Sequence, residues 1–328
     1  MRYSLFFILL VLCGAFCNSQ IKITDSTTKY PVSYATVSFG NGQGIFADDE
    51  GVFVFNKKLY PDVDSLFISA LGYKNLNLST ENLKTELILK PQIDKLDEVV
   101  ITTVITKDRK FKTEELKPYL DDDYYNCWLP TIESEIAVFF PNESDQTTRL
   151  EAIKFPIALE SKDWNNRKKS NSDKKKFSTL FKVNIYANAD GIPGDVLTYE
   201  TLVFRSTETD GDYHELNVQD LDIIMPDNGM FVSLQVLGYT DKTGKLLPNK
   251  KYKEIKGREG TVKIPTNFRP LLPFTDEMDG HRTFVKRVFI NGNAWLAFKP
   301  NNGFNSSLLK KELFNYGIGL TLNRFKDE

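Results

Sequence analysis

The chain is poor in the side chains that most enzymes use at neutral pH. Its 328 residues hold two histidines, His214 and His281. Neither stands in a His-x-x-Glu or His-Glu-x-x-His pattern, so the ligand spacing of the common zinc sites is missing. There is no Gly-x-Ser-x-Gly turn, no phosphate-cradling Gly loop ending in Lys-Ser/Thr and no dinucleotide fingerprint. A Ser-His-Asp triad needs no adjacency and stays open on sequence alone; His214, alternating within a strand-like run, is expected to be structural. Cysteine is scarce too: of three, Cys13 and Cys17 fall in the first 19 residues, leaving Cys127 and no internal disulfide. Charge of either sign is nearly balanced, 42 basic against 44 acidic residues for a net −2, which supplies no overall drive toward nucleic acid or an anionic membrane. After the N-terminus no stretch approaches the ~18 apolar residues of a membrane-spanning helix. From these absences we expect no catalytic, cofactor-binding or metal-binding residues, no cofactor and no nucleic-acid partner.

What is present starts with an export signal over residues 1–19. Arg2 is followed by the apolar run Leu5 to Leu12 and then by Gly14, Ala15, Asn18 and Ser19, the n-region, h-region and cleavage-zone order of a secretory signal peptide. Cleavage is expected after Ser19, with Gln20 the first mature residue. An acylated lipoprotein cysteine follows a small residue, whereas Leu12 precedes Cys13 and Phe16 precedes Cys17, which argues against a lipid anchor. The chain is long enough for two cores.

Residues 20–92 carry short apolar runs at regular spacing: Ile21-Lys22-Ile23, Ser33 to Phe39, Val52 to Phe55, Ser65 to Ser69 and Glu86 to Leu89. Turn residues separate them, among them Asn41-Gly42-Gln43-Gly44, Asp48-Asp49-Glu50-Gly51 and Tyr60-Pro61-Asp62. That spacing predicts a β-sandwich. Pro31-Val32-Ser33-Tyr34-Ala35-Thr36-Val37, then Gly44 to Phe53, then Leu66 to Tyr73, followed by Leu96 to Ile101, resemble in order the signatures of the carboxypeptidase-regulatory-like domain. The resemblance implies a transthyretin/Ig-like seven-stranded sandwich, of Bacteroidetes type, that accompanies other proteins without doing chemistry. In that family the domain often precedes a TonB-dependent receptor barrel; the residues after Ile101 are too few for one, so a receptor is not expected. The acidic turn Asp48 to Glu50 has oxygens suited to Ca²⁺, against a plain solvated hairpin, which is the expectation here.

Residues 93–130 lose the period and gain charge, at Lys107 to Lys110 and Asp121 to Asp123, with Pro118 and Pro130. They are read as a linker, the acidic run as solvated. Cys127 and Trp128 beside Tyr124 and Tyr125 read as an apolar plug of the next domain, Cys127 buried and inert for want of a neighbouring base.

Residues 131–328 resume strand-like runs at Glu135–Phe140, Leu150–Phe155, Phe181–Tyr186, Thr201–Phe204, Tyr213–Val218, Met230–Val236, Val285–Ile290 and Ala294–Phe298, with a short helix near Ser307–Phe314. So many strands predict a larger jelly-roll-like β-sandwich, and the whole chain is all-β. Phe181 to Tyr186, Asp190 to Leu197, Asp220-Leu221 and Pro226 to Leu234 look like motifs of an uncharacterised secreted sandwich family that often follows the N-terminal domain. That likeness implies an exported location and no activity. Pro193-Gly194 is read as a type II turn. The run Arg167 to Lys176, flanked by Trp164, is read as a solvated hairpin insertion rather than a polyanion site.

Two functions compete. One is a non-catalytic binding or structural protein of the cell envelope, in the periplasm, at the outer membrane or secreted, its partner an envelope protein or a glycan. The other is a hydrolase with paired carboxylates drawn from Glu133, Glu135 and Glu151.

Overall fold

The computed structural model describes residues 20–40, 42–92, 109–121, 123–132, 134–159, 177–198, 200–247, 253–257, 260–264, 270–290 and 294–326. The export segment 1–19, Leu96–Ile101, Glu133 and the basic run 167–176 with Trp164 lie outside the described residues. Strands dominate and the chain is all-β. It divides into two compact units, Met1–Gln92 and Ile93–Glu328.

In the first unit the strands are β1 (Gln20–Asp25), β2 (Thr36–Gly40), β3 (Gln43–Phe46), β4 (Val52–Val54), β5 (Ser65–Ser69), β6 (Leu76–Ser79) and β7 (Glu86–Leu89). One sheet runs β4-β1-β7, with β1 antiparallel to β4 and parallel to β7; the other runs β3-β2-β5-β6. Period-two alternation decides which side chains go inside. Ile21 and Ile23, Leu66 and Ile68, and Leu87 and Leu89 all join one apolar cluster with Val37 and Phe53, while the out-of-phase Ile88 is 48% exposed. Each such fully buried side chain contributes about 1.5–3 kcal/mol. The turn into β4 is built by Asp48, whose Oδ1 accepts from Glu50 N at 3.1 Å and Val52 N at 2.8 Å. Gly51 closes that turn at φ +69°, where a Cβ would stand 2.6 Å from the Ile23 carbonyl oxygen.

The second unit contains β8 (Phe111–Leu116), a 3-10 turn at Tyr124–Asn126, β9 (Cys127–Trp128), β10 (Ser134–Phe140), β11 (Thr148–Pro156), β12 (Ser178–Ala189), β13 (Ile192–Val196), β14 (Leu202–Thr207) and β15 (Tyr213–Asn217). There follow β16 (Met230–Tyr239), β17 (Lys253–Gly257), β18 (Gly260–Ile264), β19 (Leu272–Thr275), β20 (Thr283–Arg287), β21 (Leu296–Ala297), the single helical turn α1 (Ser307–Lys310), β22 (Asn315–Tyr316) and β23 (Gly319–Phe325). The largest sheet has seven strands, β13-β12-β16-β10-β20-β21 with β14 also on β12; a four-stranded sheet runs β15-β11-β23-β8. Phe155 of β11 stacks on Phe204 of β14 at 5.4 Å, and Phe204 on Phe181 of β12 at 5.2 Å. These rings tie the two sheets together, so the side of β12 that carries Phe181, Val183 and Ile185 faces the four-stranded sheet. The small sheet β22-β19-β9 adds an aromatic cluster, with Trp128 4.8 Å from Phe298 and 5.5 Å from Phe274.

Two sequence expectations are corrected. The reading of 93–130 as linker fails from Phe111 onward: β8 pairs along its whole length with β23, and Cys127–Trp128 pairs with β19. The strand escaped notice because β8 is an edge strand with most positions exposed, so no apolar alternation marks it. Ion pairs hold it instead, Glu114 with Arg324 at 2.6 Å and Glu115 with Lys154. The turn expected at Pro193-Gly194 lies three residues earlier, at Asp190-Gly191. Asp190 and Gly191 take φ +53° and +87°, the two positive values of the tight hairpin turn whose twist suits flanking strands. Pro193 sits within β13 opposite Asn188, on an outer strand where its missing N–H costs no ladder bond.

Candidate functional site

The strand β10 alternates Ile136, Val138 and Phe140 on the side facing the four-stranded sheet with Glu135, Ala137 and Phe139 on the other. Register carries this second set across the sheet in rows. Lys182 of β12 lies opposite Gln235 of β16, Gln235 opposite Glu135 of β10, and Glu135 opposite Lys286 of β20. The next row is Asn184, Ser233, Ala137, Phe284 and Ala297, and the third is Tyr186, Phe231 and Phe139. A polar row thus borders a row of mostly small side chains and then an aromatic one.

Glu135 is the centre of this face and only 3% exposed. Its Oε1 accepts three hydrogen bonds, from Asn184 Nδ2 at 2.8 Å, Tyr186 Oη at 2.8 Å and Ser233 Oγ at 2.7 Å. Burying a carboxylate is tolerable only with such donors. Burial pushes the Tyr186 phenol well above its ordinary range, and the neighbouring Glu135 adds to the shift. Burial pulls the half-buried Lys182 ammonium downward, opposed by the attraction of Glu135. Trp295, just ahead of β21, packs edge-on against Tyr186 at 5.6 Å and lies under Lys286 Nζ, also at 5.6 Å. Strands β12 and β20 are three strand spacings apart, roughly 14 Å, so the indole that touches residues of both stretches over the face. The small Ala137 in the second row leaves it room, and Trp295 packs there against the Ala137, Phe231 and Phe284 cluster.

The remaining sequence candidates have local jobs. Glu151 is on β11, in the other sheet from Glu135, and takes Arg149 Nε at 2.6 Å; these two carboxylates of the alternative reading are not brought together, and the third, Glu133, lies outside the described residues. His214 stacks flat on Phe204, centroids 4.0 Å apart at 4°, and burial lowers its pKa while Asp210 opposes. His281 packs against Phe314. Asp121 Oδ1 accepts from Asp123 N at 2.7 Å and Asp123 Oδ1 from Tyr125 N at 3.0 Å; Asp122 lies outside the described residues. Cys127 is buried in a small cluster with Ala158 and Leu271. Among the described residues no group of three or more His, Cys, Asp or Glu could hold a metal ion, and no helix is long and apolar enough to cross a membrane.

No protein-family model and no curated protein matches the chain. Among solved structures it is similar to the cysteine protease and lectin-like domains of Cwp84, a surface layer associated protein of Clostridium difficile, at 10% identity and a TM-score of 0.32 over 65% of this chain. A second structure of the clostridial cysteine protease Cwp84, after propeptide cleavage, aligns at 11% identity and a TM-score of 0.30 over 65% of this chain. The chain spans 36% and 40% of those two chains.

Sequence reasoning named Glu135 and missed its companions. Asn184 lies 49 residues away and Ser233 98, distances over which only strand register makes neighbours. One local signal existed: polar Lys182 and Asn184 alternate with Phe181, Val183 and Ile185, which are buried.

Proposed function

We propose that the chain is a non-catalytic, exported binding protein of a bacterial cell envelope. In this reading a carboxypeptidase-regulatory-like unit precedes a jelly-roll-like unit that carries the ligand surface. The observation that supports it most is the face built around Glu135, on the side of the sheet turned away from the Phe155–Phe204–Phe181 stack, where a row of aligned hydrogen-bonding side chains borders the apolar cluster of Ala137, Phe231 and Phe284. The separation of Glu135 from Glu151 onto different sheets favours binding over carboxylate-pair hydrolysis. The signal-like N-terminus supports export.

In native cells the protein is expected outside the cytoplasm with Gln20 first, as read by N-terminal sequencing. The purified mature chain is expected to co-sediment with isolated envelopes in a saturable way. Cytoplasmic protein retaining Met1, or a pellet fraction independent of added envelopes, overturns the proposal.

A further inference from the structure

We propose that the open edge of β8 is a self-association surface, on which a second copy of this chain lays its own β8 antiparallel and continues the four-stranded sheet. Among the described residues β8 pairs with β23 alone, and every position of the strand except Glu114 is exposed. Phe111 and Leu116, large apolar side chains at its two ends, are 49% and 37% exposed. Lys326 N donates to Lys110 O at 3.0 Å, which fixes the phase of the ladder. Lys110, Lys112, Glu114 and Leu116 turn their backbone groups toward β23, and Phe111, Thr113 and Glu115 turn theirs to the edge. Such a row of outward N–H and C=O groups is a template for an added strand.

The strand's own sequence selects both the partner and the register. A twofold axis through a sheet edge keeps each side chain on its own face, so odd positions oppose odd ones and even oppose even. Two symmetric registers give the longest overlap. The one centred on Glu114 sets that carboxylate against itself, which is destabilising. The one centred on Thr113 sets Thr113 against the partner's Thr113, and Lys112 against the partner's Glu114 on both sides of the axis. Thr–Thr and opposite-charge pairs across strands are both favourable, and in this register the outward residues Phe111, Thr113 and Glu115 meet the partner's Glu115, Thr113 and Phe111. Leu116 falls beside the aliphatic stem of the partner's Lys110. Charges on an edge ordinarily keep strands apart; here a lysine and a glutamate flank Thr113 on one face, so the axis brings each to its opposite. Glu114 holds Arg324 Nε at 2.6 Å in its own chain, and the partner's Lys112 joins that pair. The other edge of this sheet lacks the property, because β15 in its full-length self-register sets Glu215 against itself.

The test is analytical ultracentrifugation of the mature chain, residues 20–328. From about 1 µM to about 1 mM, the range in which a small interface associates, a reversible monomer–dimer equilibrium is expected. Lys112→Glu alone and Glu114→Lys alone each put like charges across the axis and should weaken dimerisation about tenfold or more. Mixed in equal amounts, the two variants should form a mixed dimer tighter than either makes alone, since each offers the other the opposite charge. Thr113→Cys places its Cα atoms about 5.5 Å apart across the axis, within the span of a disulfide. It should cross-link on mild oxidation, whereas the parent chain, with Cys127 buried, should not. If Glu114→Lys fails to fold without its bond to Arg324, Lys112→Glu and Thr113→Cys decide the matter. A chain that stays monomeric over the whole range, a dimer indifferent to Lys112→Glu, or an oxidised Thr113→Cys variant without a cross-link overturns the proposal.

Discussion

At the scale of the residue, several polar side chains away from the Glu135 face organise the turns in which they stand. Asp25 shows the pattern. Its Oδ1 takes Thr27 N at 2.6 Å and Thr28 N at 2.8 Å, and its Oδ2 takes Tyr73 Oη at 2.8 Å. The backbone bond from Thr28 leads in lowering its pKa, and burial with Asp25 alongside raises Tyr73 to about 12. Gly72, at φ +79°, turns the chain so that this tyrosine folds back, as the Gly-Tyr pair in the sequence implies. His214 gives the clearest titration. Burial against Phe204 holds its pKa below the ordinary 6.5, so the unfolded chain takes up the proton first. Stability from this site is present above pH 6.5 and is lost as pH falls from there through the lowered folded value. The His214→Phe variant keeps a ring on Phe204 but cannot be protonated. Its melting temperature is expected to vary less between pH 7 and pH 5 than that of the parent chain; equal slopes in calorimetry would show that His214 carries no such linkage.

At the scale of the element, legibility followed burial. Strands with one face in a core announced themselves by alternation: β5 as Leu66 and Ile68, β10 as Ile136, Val138 and Phe140. Edge strands held by charge did not, which is why β8 passed for linker, and two-residue strands such as β9 and β22 are too short to show a period. Turn chemistry was legible only where one candidate stood alone. Asp190-Gly191 and Pro193-Gly194 compete within five residues, and the twist of the hairpin decides for the first. The turn into β16 is the most constrained of them. Gly229 has φ +83°, and a Cβ there would stand 2.5 Å from the Phe140 carbonyl oxygen and 2.9 Å from the Phe139 ring. Asn188 and Asn228 flank it and exchange side-chain amides for each other's carbonyls, at 2.7 and 2.9 Å. Backbone on one side and a reciprocal clamp on the other leave no slack. Gly229→Ala is expected to cost about 2 kcal/mol or more. Gly280→Ala, at φ +73° with nothing within 4 Å, should cost about 1 kcal/mol. Urea unfolding of the two variants checks the order, and a Gly229 variant no worse than the Gly280 one would refute the account of this turn.

At the scale of the whole molecule, the chain spreads its stability over separate cores rather than concentrating it. Cys127 is the one cysteine among the described residues, so no internal disulfide staples those residues of either unit, and each core must bury enough apolar surface by itself. The first unit does so within a short stretch. Its seven strands pair in two sheets between Gln20 and Leu89, and its cluster draws from both sheets, Ile23 and Leu89 on one side and Val37 and Ile68 on the other. Its turns are tied by their own side chains, Asp48 to Val52 N and Asp25 to Thr28 N. Even its last strand is anchored by neighbours in the same unit, through the parallel ladder of Lys22 to Asp25 with Glu86 to Leu89. A fragment of residues 20–92 is therefore expected to unfold in one cooperative thermal transition. Removing residues 86–92 from that fragment should abolish the transition, because β1 then loses its parallel partner and Leu87 and Leu89 leave the core. Both constructions are read by circular dichroism on heating. A fragment 20–92 without a cooperative transition would show that the unit depends on the remainder of the chain, and a cooperative transition in the shortened one would show that β7 is dispensable to the core it completes.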